Sequence, residues 1–429
     1  MLSAHEFDQK PNQVSISPLL QKLAYPTTQV PVDPAEIASA FALIFEDRLS
    51  AIQTAALLTL LHSTAKDRDA QVIALCSLRM REAARQIEKS SLKKVINARG
   101  KKEGNYGGGL CDIVGTGGDS HSTFNISTTA SIIASPLLMM AKHGNRAQTS
   151  FSGSADVLNA IAPVPPKISA VTAENLAQVY EATSYAFLFA PNFHPGMMYA
   201  NPVRRGLGLR TIFNLMGPLA NPVDWALEAR VVGVAYQSLG PVFAEALRSS
   251  GVKKALVVCG AEDLDEISCA GPTNCWKLTG YPNPDYDGPD EECSCGEDED
   301  VPRTLVKIET FQLHPSDFGL PAHPLSAVYG RKMPKENAAK IMSILRNELP
   351  PDDPILTFVL INVAALLVIS GLCEADTSNM GPGDDGKVIT ERGPGGGRWK
   401  EGVRRARWAV ESGSALKCLE QFIEVTNRL

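Results

Sequence analysis

Two short polar stretches, each placed at the end of an apolar run, constrain this 429-residue chain more than any other feature. The first is Gly115-Thr116-Gly117-Gly118-Asp119, which follows Leu110, Cys111, Ile113 and Val114. An apolar run closed by glycine predicts a β-strand ending in a loop, and the glycines open backbone conformations that other residues avoid. Such a loop can turn its N–H groups toward an anion. Asn125-Ile126-Ser127-Thr128-Thr129-Ala130 then offers hydroxyl caps at a predicted helix start, where further donors and the helix dipole favour negative charge. Together they predict a phosphate cradle.

The spacing matches neither common nucleotide fingerprint. No Gly-Lys-Ser/Thr follows Asp119, and the third glycine of a dinucleotide-binding turn is missing. Further recognition falls to Lys142-His143-Gly144-Asn145-Arg146, which follows Leu137, Leu138, Met139, Met140 and Ala141. This places polar residues at a second strand's carboxyl end, the edge at which open α/β sheets bind ligands. An isolated triplet such as Lys142, His143 and Arg146 reads most simply as a solvated turn. Two polar clusters on successive strand ends point instead to a site.

In their order, these motifs and the following Ser152-Gly153-Ser154-Ala155-Asp156-Val157-Leu158 resemble the anthranilate phosphoribosyltransferases. His194-Pro195-Gly196-Met197 and the stretch Val203-Arg204-Arg205-Gly206-Leu207-Gly208-Leu209-Arg210-Thr211-Ile212-Phe213-Asn214, continuing to Pro222, look like the family's next signature. Asp265-Glu266 matches its acidic pair. The likeness runs from about residue 17 onward and is interrupted by three inserts. It implies a small N-terminal helical domain beside a larger α/β domain with a mainly parallel central sheet flanked by helices. The implied reaction moves the 5-phosphoribosyl group of 5-phosphoribosyl 1-pyrophosphate (PRPP) to anthranilate, with Mg2+, in tryptophan biosynthesis.

Carried over residue by residue, the resemblance puts Gly115, Thr116, Gly117, Gly118, Asp119, Thr123, Asn125, Ile126, Ser127 and Thr128 around PRPP. Lys142, His143, Gly144, Asn145, Arg146, Ser150 and Ser154 join them. Gly115, Asn145, His194 and Arg204 would face anthranilate, and Ser127, Asp265 and Glu266 would approach magnesium. Lys142, Asp265 and Glu266 are the implied catalytic groups. The chemistry agrees: arginine holds a carboxylate through two parallel hydrogen bonds, and paired carboxylates suit a hard cation shared with phosphates. The sequence departs from the family pattern at Gly196 (usually alanine), Met198 (often lysine) and Asp263 (usually glycine). The first two are expected to loosen the local helix, the third to alter the turn or add a carboxylate.

A net charge of −6 argues against a general nucleic-acid binder. Nine scattered cysteines suit a reducing compartment, and residues 1–10 show no apolar signal core, so a cytoplasmic location is expected. Residues 1–90 read as helical, with Asp33 and Ser50 as caps, Ile37, Phe41 and Ile44 on one face, and Val72, Leu75, Leu78 and Met80 as a later stripe. The family likeness completes this domain with a segment near 194–220 and makes it a homodimer contact. Residues 91–109 read as a linker or insert, and 110–193 with 221–429 as the α/β domain. Thr172 is expected to cap a helix reaching Tyr180, and 401–425 to form a final amphipathic segment. Inserts are expected near 281–303, acidic and solvated with Cys293 and Cys295, and near 376–398, a glycine-rich flexible excursion. Residues 355–372 approach the length of a membrane span, but Thr357, Asn362 and Ser370 favour a buried helix. Two other functions fit parts of the pattern: a pyrimidine-nucleoside phosphorylase, and a non-catalytic relative that binds nucleic acid or protein.

Overall fold

The structure, a computed structural model, describes residues 12–26, 31–147, 152–286, 302–331 and 333–429. Its strands are β1 (Leu110–Gly115), β2 (Met139–Gly144), β3 (Tyr185–Phe189), β4 (Leu227–Gly233), β5 (Lys254–Gly260), β6 (Thr273–Pro282) and β7 (Thr304–Leu313). They form one sheet in the order β3-β2-β1-β4-β5-β6-β7. The first five run parallel, while β6 and β7 make an antiparallel edge. Strands this apolar need cover on both faces, which parallel sheets obtain from their crossover helices.

The chain moves outward from β1 to β2 and β3, then returns to place β4 on the other side of β1. That reversal opens a crevice at the carboxyl ends of β1 and β4, the usual ligand position in such sheets. The four central strands β2, β1, β4 and β5 all end in glycine at this edge, as Gly144, Gly115, Gly233 and Gly260.

The helix Pro354–Ser370 is buried along almost its whole length. Its Asn362 is satisfied by the Ile267 backbone, accepting from N–H at 3.1 Å and donating to the carbonyl at 3.1 Å. No helix among the described residues is long and apolar enough to cross a membrane. At the N-terminal end, the helices Pro34–Phe45 and Ala51–Ser63 start on Asp33 and Ser50, whose side chains accept from Ala35 N at 2.9 Å and Gln53 N at 3.2 Å. Ile37, Phe41, Ile44, Leu57 and Val72 share one buried cluster with Ala200, Ile212, Phe213 and Met216 from the chain after β3. Leu78, expected in the stripe, instead faces outward with 38% exposure.

Several boundaries differ from the sequence expectations. Residues 91–109 are no simple linker: Lys89–Arg99 is a helix capped by the Glu88 carboxylate, and Leu92, Val95 and Ile96 pack into the sheet's core. Its lysines hide a stripe of only three apolar residues. Thr172 caps no helix, because the next one starts at Leu176 after Asn175, whose side chain accepts from Thr172 N. The final segment is two helices, Trp399–Glu411 and Ser414–Arg428, divided at Gly413 with φ +71°. Residues 376–398 are tied down rather than a free excursion. Asp384 accepts from Met380 N at 2.8 Å and from Arg404 at 2.8 Å, and Trp408 Nε1 donates to the Pro382 carbonyl at 3.0 Å. In the acidic stretch, Tyr281 and Pro282 belong to β6, and 287–301 with Cys293 and Cys295 lie outside the described residues.

Candidate active site

The loop after β1 is held by a residue from a distant part of the chain. Asp265 Oδ2 accepts the Gly117 N–H at 2.7 Å. A Cβ on Gly115 would stand 2.3 Å from Asp265 Oδ2, and one on Gly233 would stand 1.6 Å from the Asp265 carbonyl oxygen. The paired glycines of β1 and β4 therefore admit Asp265 between the strand ends. Gly117 and Gly118 have φ of +67° and +80°, which glycine adopts without strain. Arg210 closes the other side, donating to the Gly118 carbonyl at 2.6 Å and the Gly117 carbonyl at 3.2 Å. Replacing Arg210 with alanine frees both carbonyls, so we expect about a tenfold loss of affinity for the ligand of this loop and partial recovery with lysine, read by titrating that ligand. Unchanged affinity would remove Arg210 from the loop's support.

Three carboxylates crowd the same crevice. Burial and the adjacent Asp265 push Asp119 up to about 8, and burial followed by the Asp265 charge pushes Glu266 well above the usual carboxylate range. Burial raises Asp265 as well. Glu266 faces the Ser127 N–H at the start of the helix Ile126–Ala134, and one Asp119 oxygen is buried without a hydrogen-bond partner. Among the described residues no three His, Cys, Asp or Glu side chains converge closely enough to hold a metal alone. These hard oxygen donors, one of them without a partner, fit a magnesium ion that would draw its remaining ligands from phosphate and water.

Lys142 lies deep beneath the loop, 1% exposed, and its ammonium donates to the Ile113 carbonyl at 2.7 Å. Burial lowers its pKa, and the charges of Asp112, Glu266 and Asp265 oppose that shift. Its charge is thereby held within reach of both Glu266 and Asp265. His143 and His194 meet edge to face with ring centroids 5.3 Å apart. Burial pushes His194 down to about 4 and His143 well below its usual value. A histidine that titrates near 6.5 when unfolded and near 4 when folded binds fewer protons in the native state across that window. Stability is accordingly full above pH 6.5 and falls as pH drops toward 4, by about 3 kcal/mol for His194. Thermal melts of the protein and of His194→Gln at pH 7 and 4.5 should show the smaller acid loss in the variant; equal losses would refute a neutral buried imidazole.

A cavity of about 450 Å³ joins these parts. Gly115, Thr116, Gly117, Gly118 and Ser127 form one wall, and Lys142, His143, Gly144, Asn145, Arg146 and Ser154 continue it. His194 and Arg204 line it as well. The Arg204 guanidinium sits over the Phe213 ring, 5.2 Å from its centroid, and burial lowers its pKa. A second cavity of about 220 Å³ shares the glycine loop and adds Asp119, Thr123, Asn125, Ile126, Thr128, Asp265 and Glu266. Ser150 lies outside the described residues. The structure adds Arg210, Gly233, Phe213 and Asp156 to the residues expected from sequence. Asp156 Oδ2 accepts from Ala147 N at 2.8 Å and Gly153 N at 3.0 Å, fixing both ends of the loop after β2. Of these only Asp156 carried a local signal, three residues after Gly153 at a helix start.

Residues 107–416 match the model of the glycosyl transferase family, a/b domain. The anthranilate phosphoribosyltransferase of Schizosaccharomyces pombe is 38% identical over 318 residues, covering 74% of this chain and 75% of that protein. This chain belongs to the anthranilate phosphoribosyltransferase family. The fold agrees: the Saccharomyces cerevisiae member, solved in complex with PRPP and Mg, superposes with a TM-score of 0.73 at 27% identity, over 97% of this chain and 99% of that one. The Thermus thermophilus member gives 0.69 at 28% identity, over 95% and 99%. At the position where the anthranilate phosphoribosyltransferase pattern has glycine, Asp263 adopts a left-handed backbone with φ +61°, which aspartate tolerates. Its carboxylate accepts from Gln237 N at 3.2 Å, so it serves the neighbouring loop. Gly196 stands just outside the helix Met197–Leu207, as its N-cap residue.

Proposed function

We propose that this protein transfers the 5-phosphoribosyl group from PRPP to the amino nitrogen of anthranilate, giving N-(5-phosphoribosyl)anthranilate and releasing pyrophosphate in tryptophan biosynthesis. The observation that carries the reading is one cavity lined both by the glycine loop Gly115–Gly118 and by Arg204. The donor's phosphates carry about −1.5 to −2 charge for a monoester group alone and would lie against the loop and the start of the helix Ile126–Ala134. Arg204 would hold the anthranilate carboxylate, with Asn145, Gly115 and His194 bounding the ring.

Magnesium would be held by Asp265 and Glu266 with Ser127, and when bound supplies positive charge at the departing pyrophosphate. The chain's own part is alignment and electrostatics. Asp265 fixes the loop through Gly117 N–H, Arg210 fixes it through two carbonyls, and Lys142 places a cation under β1. An aromatic amine is nucleophilic without a strong base, so no side chain is assigned as an obligatory proton acceptor. His143 and His194, both held neutral by burial, line the cavity.

We assign the working form as a cytoplasmic homodimer joined through the N-terminal helices. Ile52 and Leu78 on those helices are exposed, and the seven described cysteines are all free. The test is the loss of anthranilate fluorescence on mixing protein, PRPP and magnesium. A decrease that requires both PRPP and magnesium supports the reading. Phosphorolysis of thymidine or uridine without PRPP turnover would replace it.

A further inference from the structure

Arg204 is seated by more than its own helix, where its Nη1 donates to Asn201 Oδ1 at 3.5 Å. Its guanidinium lies on the Phe213 ring, and that ring is 7% exposed. Phe213 packs against Phe41 at 4.8 Å between centroids and against Phe45 at 6.1 Å, and Phe41 meets Phe45 at 5.3 Å. Phe45 closes the helix Pro34–Phe45 and presses against Gly196. A Cβ on Gly196 would stand 2.7 Å from Phe45 Cβ and 2.9 Å from both its Cα and its carbonyl oxygen. Gly196 has φ −61° and ψ −17°, a conformation open to every residue, so its backbone does not demand glycine. The contact with Phe45 does.

Gly196 immediately precedes the helix Met197–Leu207, which carries Arg204 about two turns later. Pro202 inside that helix has no N–H to give, so the turn before Arg204 is braced less by its own hydrogen bonds. We propose that Gly196 and the Phe41–Phe45–Phe213 cluster form a positioning device that sets the Arg204 guanidinium for the substrate carboxylate. Gly196 seats the start of the helix on the Phe45 backbone and Cβ, and Phe213, packed edge to face on the Phe45 ring, supports the cation. The inference rests on the proposed function, because it takes Arg204 to be the carboxylate clamp.

The test is steady-state kinetics by anthranilate fluorescence on the full chain, with both substrates varied. Gly196→Ala should raise KM for anthranilate about tenfold and leave KM for PRPP within about twofold, since only the carboxylate side is disturbed. Phe213→Leu should give the same split, and Phe213→Tyr, which keeps the ring face, a smaller one. In an Arg204→Ala background, Gly196→Ala should add less than about twofold, because the residue it positions is gone. A rise in both KM values together, multiplicative losses in the double variant, or unchanged KM values in an active protein would overturn the proposal. If Gly196→Ala does not fold, Phe213→Leu and its Arg204→Ala double variant carry the same test. A native protein that consumes no anthranilate would instead overturn the function itself, and this inference with it.

Discussion

Gly233→Ala should reduce kcat/KM by two to three orders of magnitude, although Gly233 belongs to none of the polar motifs. The added methyl carbon would stand 1.6 Å from the Asp265 carbonyl oxygen, well inside contact distance. β4 cannot yield, because Val231 and Val232 are fully packed between β1 and β5. Asp265 must therefore retreat, taking its carboxylate from the Gly117 N–H and opening the loop. Displacements of about 1 Å in positioning groups cost on the order of a hundredfold in rate. The matched control is Gly206→Ala: nothing lies within 4 Å of a Cβ there, and the position is helical, so activity should remain near native. Gly233→Ala retaining more than half of native kcat/KM would mean that Asp265 does not control the loop.

The combined variant Asp265→Asn, Glu266→Gln should separate stability from activity. Both side chains keep their shape, and the amide that replaces the Asp265 carboxylate retains an oxygen for the Gly117 N–H, so the fold loses little. What disappears is a pair of crowded, desolvated carboxyl groups whose ionised forms burial and mutual repulsion disfavour beside Asp119. Relief of that repulsion should leave the melting temperature at or above the native value when measured without magnesium. Turnover should nevertheless fall by at least about a hundredfold, and magnesium should no longer strengthen PRPP binding. Isothermal titration of PRPP with and without magnesium reads the second effect. Native magnesium dependence in the variant would move the metal away from this pair.

The parts legible in the sequence are those written in local chemistry. Glycine-closed apolar runs gave β1 and β2, and Asp33 and Ser50 cap the helices their spacing predicts, because a cap depends on neighbours two or three residues away. Gly233 and Arg210 were not legible, since each owes its importance to a partner remote in sequence, Asp265 in one case and the 117–118 backbone in the other. Composition misled at 91–109 and at 376–398. In the first, lysines outnumber the apolar stripe that docks the helix. In the second, glycines coexist with one carboxylate, Asp384, that gathers several donors. Asp263 shows the reverse case: an unexpected residue at a left-handed position whose backbone aspartate tolerates.

The antiparallel edge has a practical meaning of its own. β6 starts beside Gly260, at the catalytic rim, and pairs downward until Pro282 faces Thr304 level with the root of β5. Pro282 and Thr304 thus stand at the far end of the β6–β7 ladder, ten residue pairs from the end that adjoins Gly260. A surface linker, affinity handle or fused reporter attached there would leave the entrance turned toward bulk solvent, and an immobilised preparation anchored at that end should admit both substrates as freely as the protein in solution.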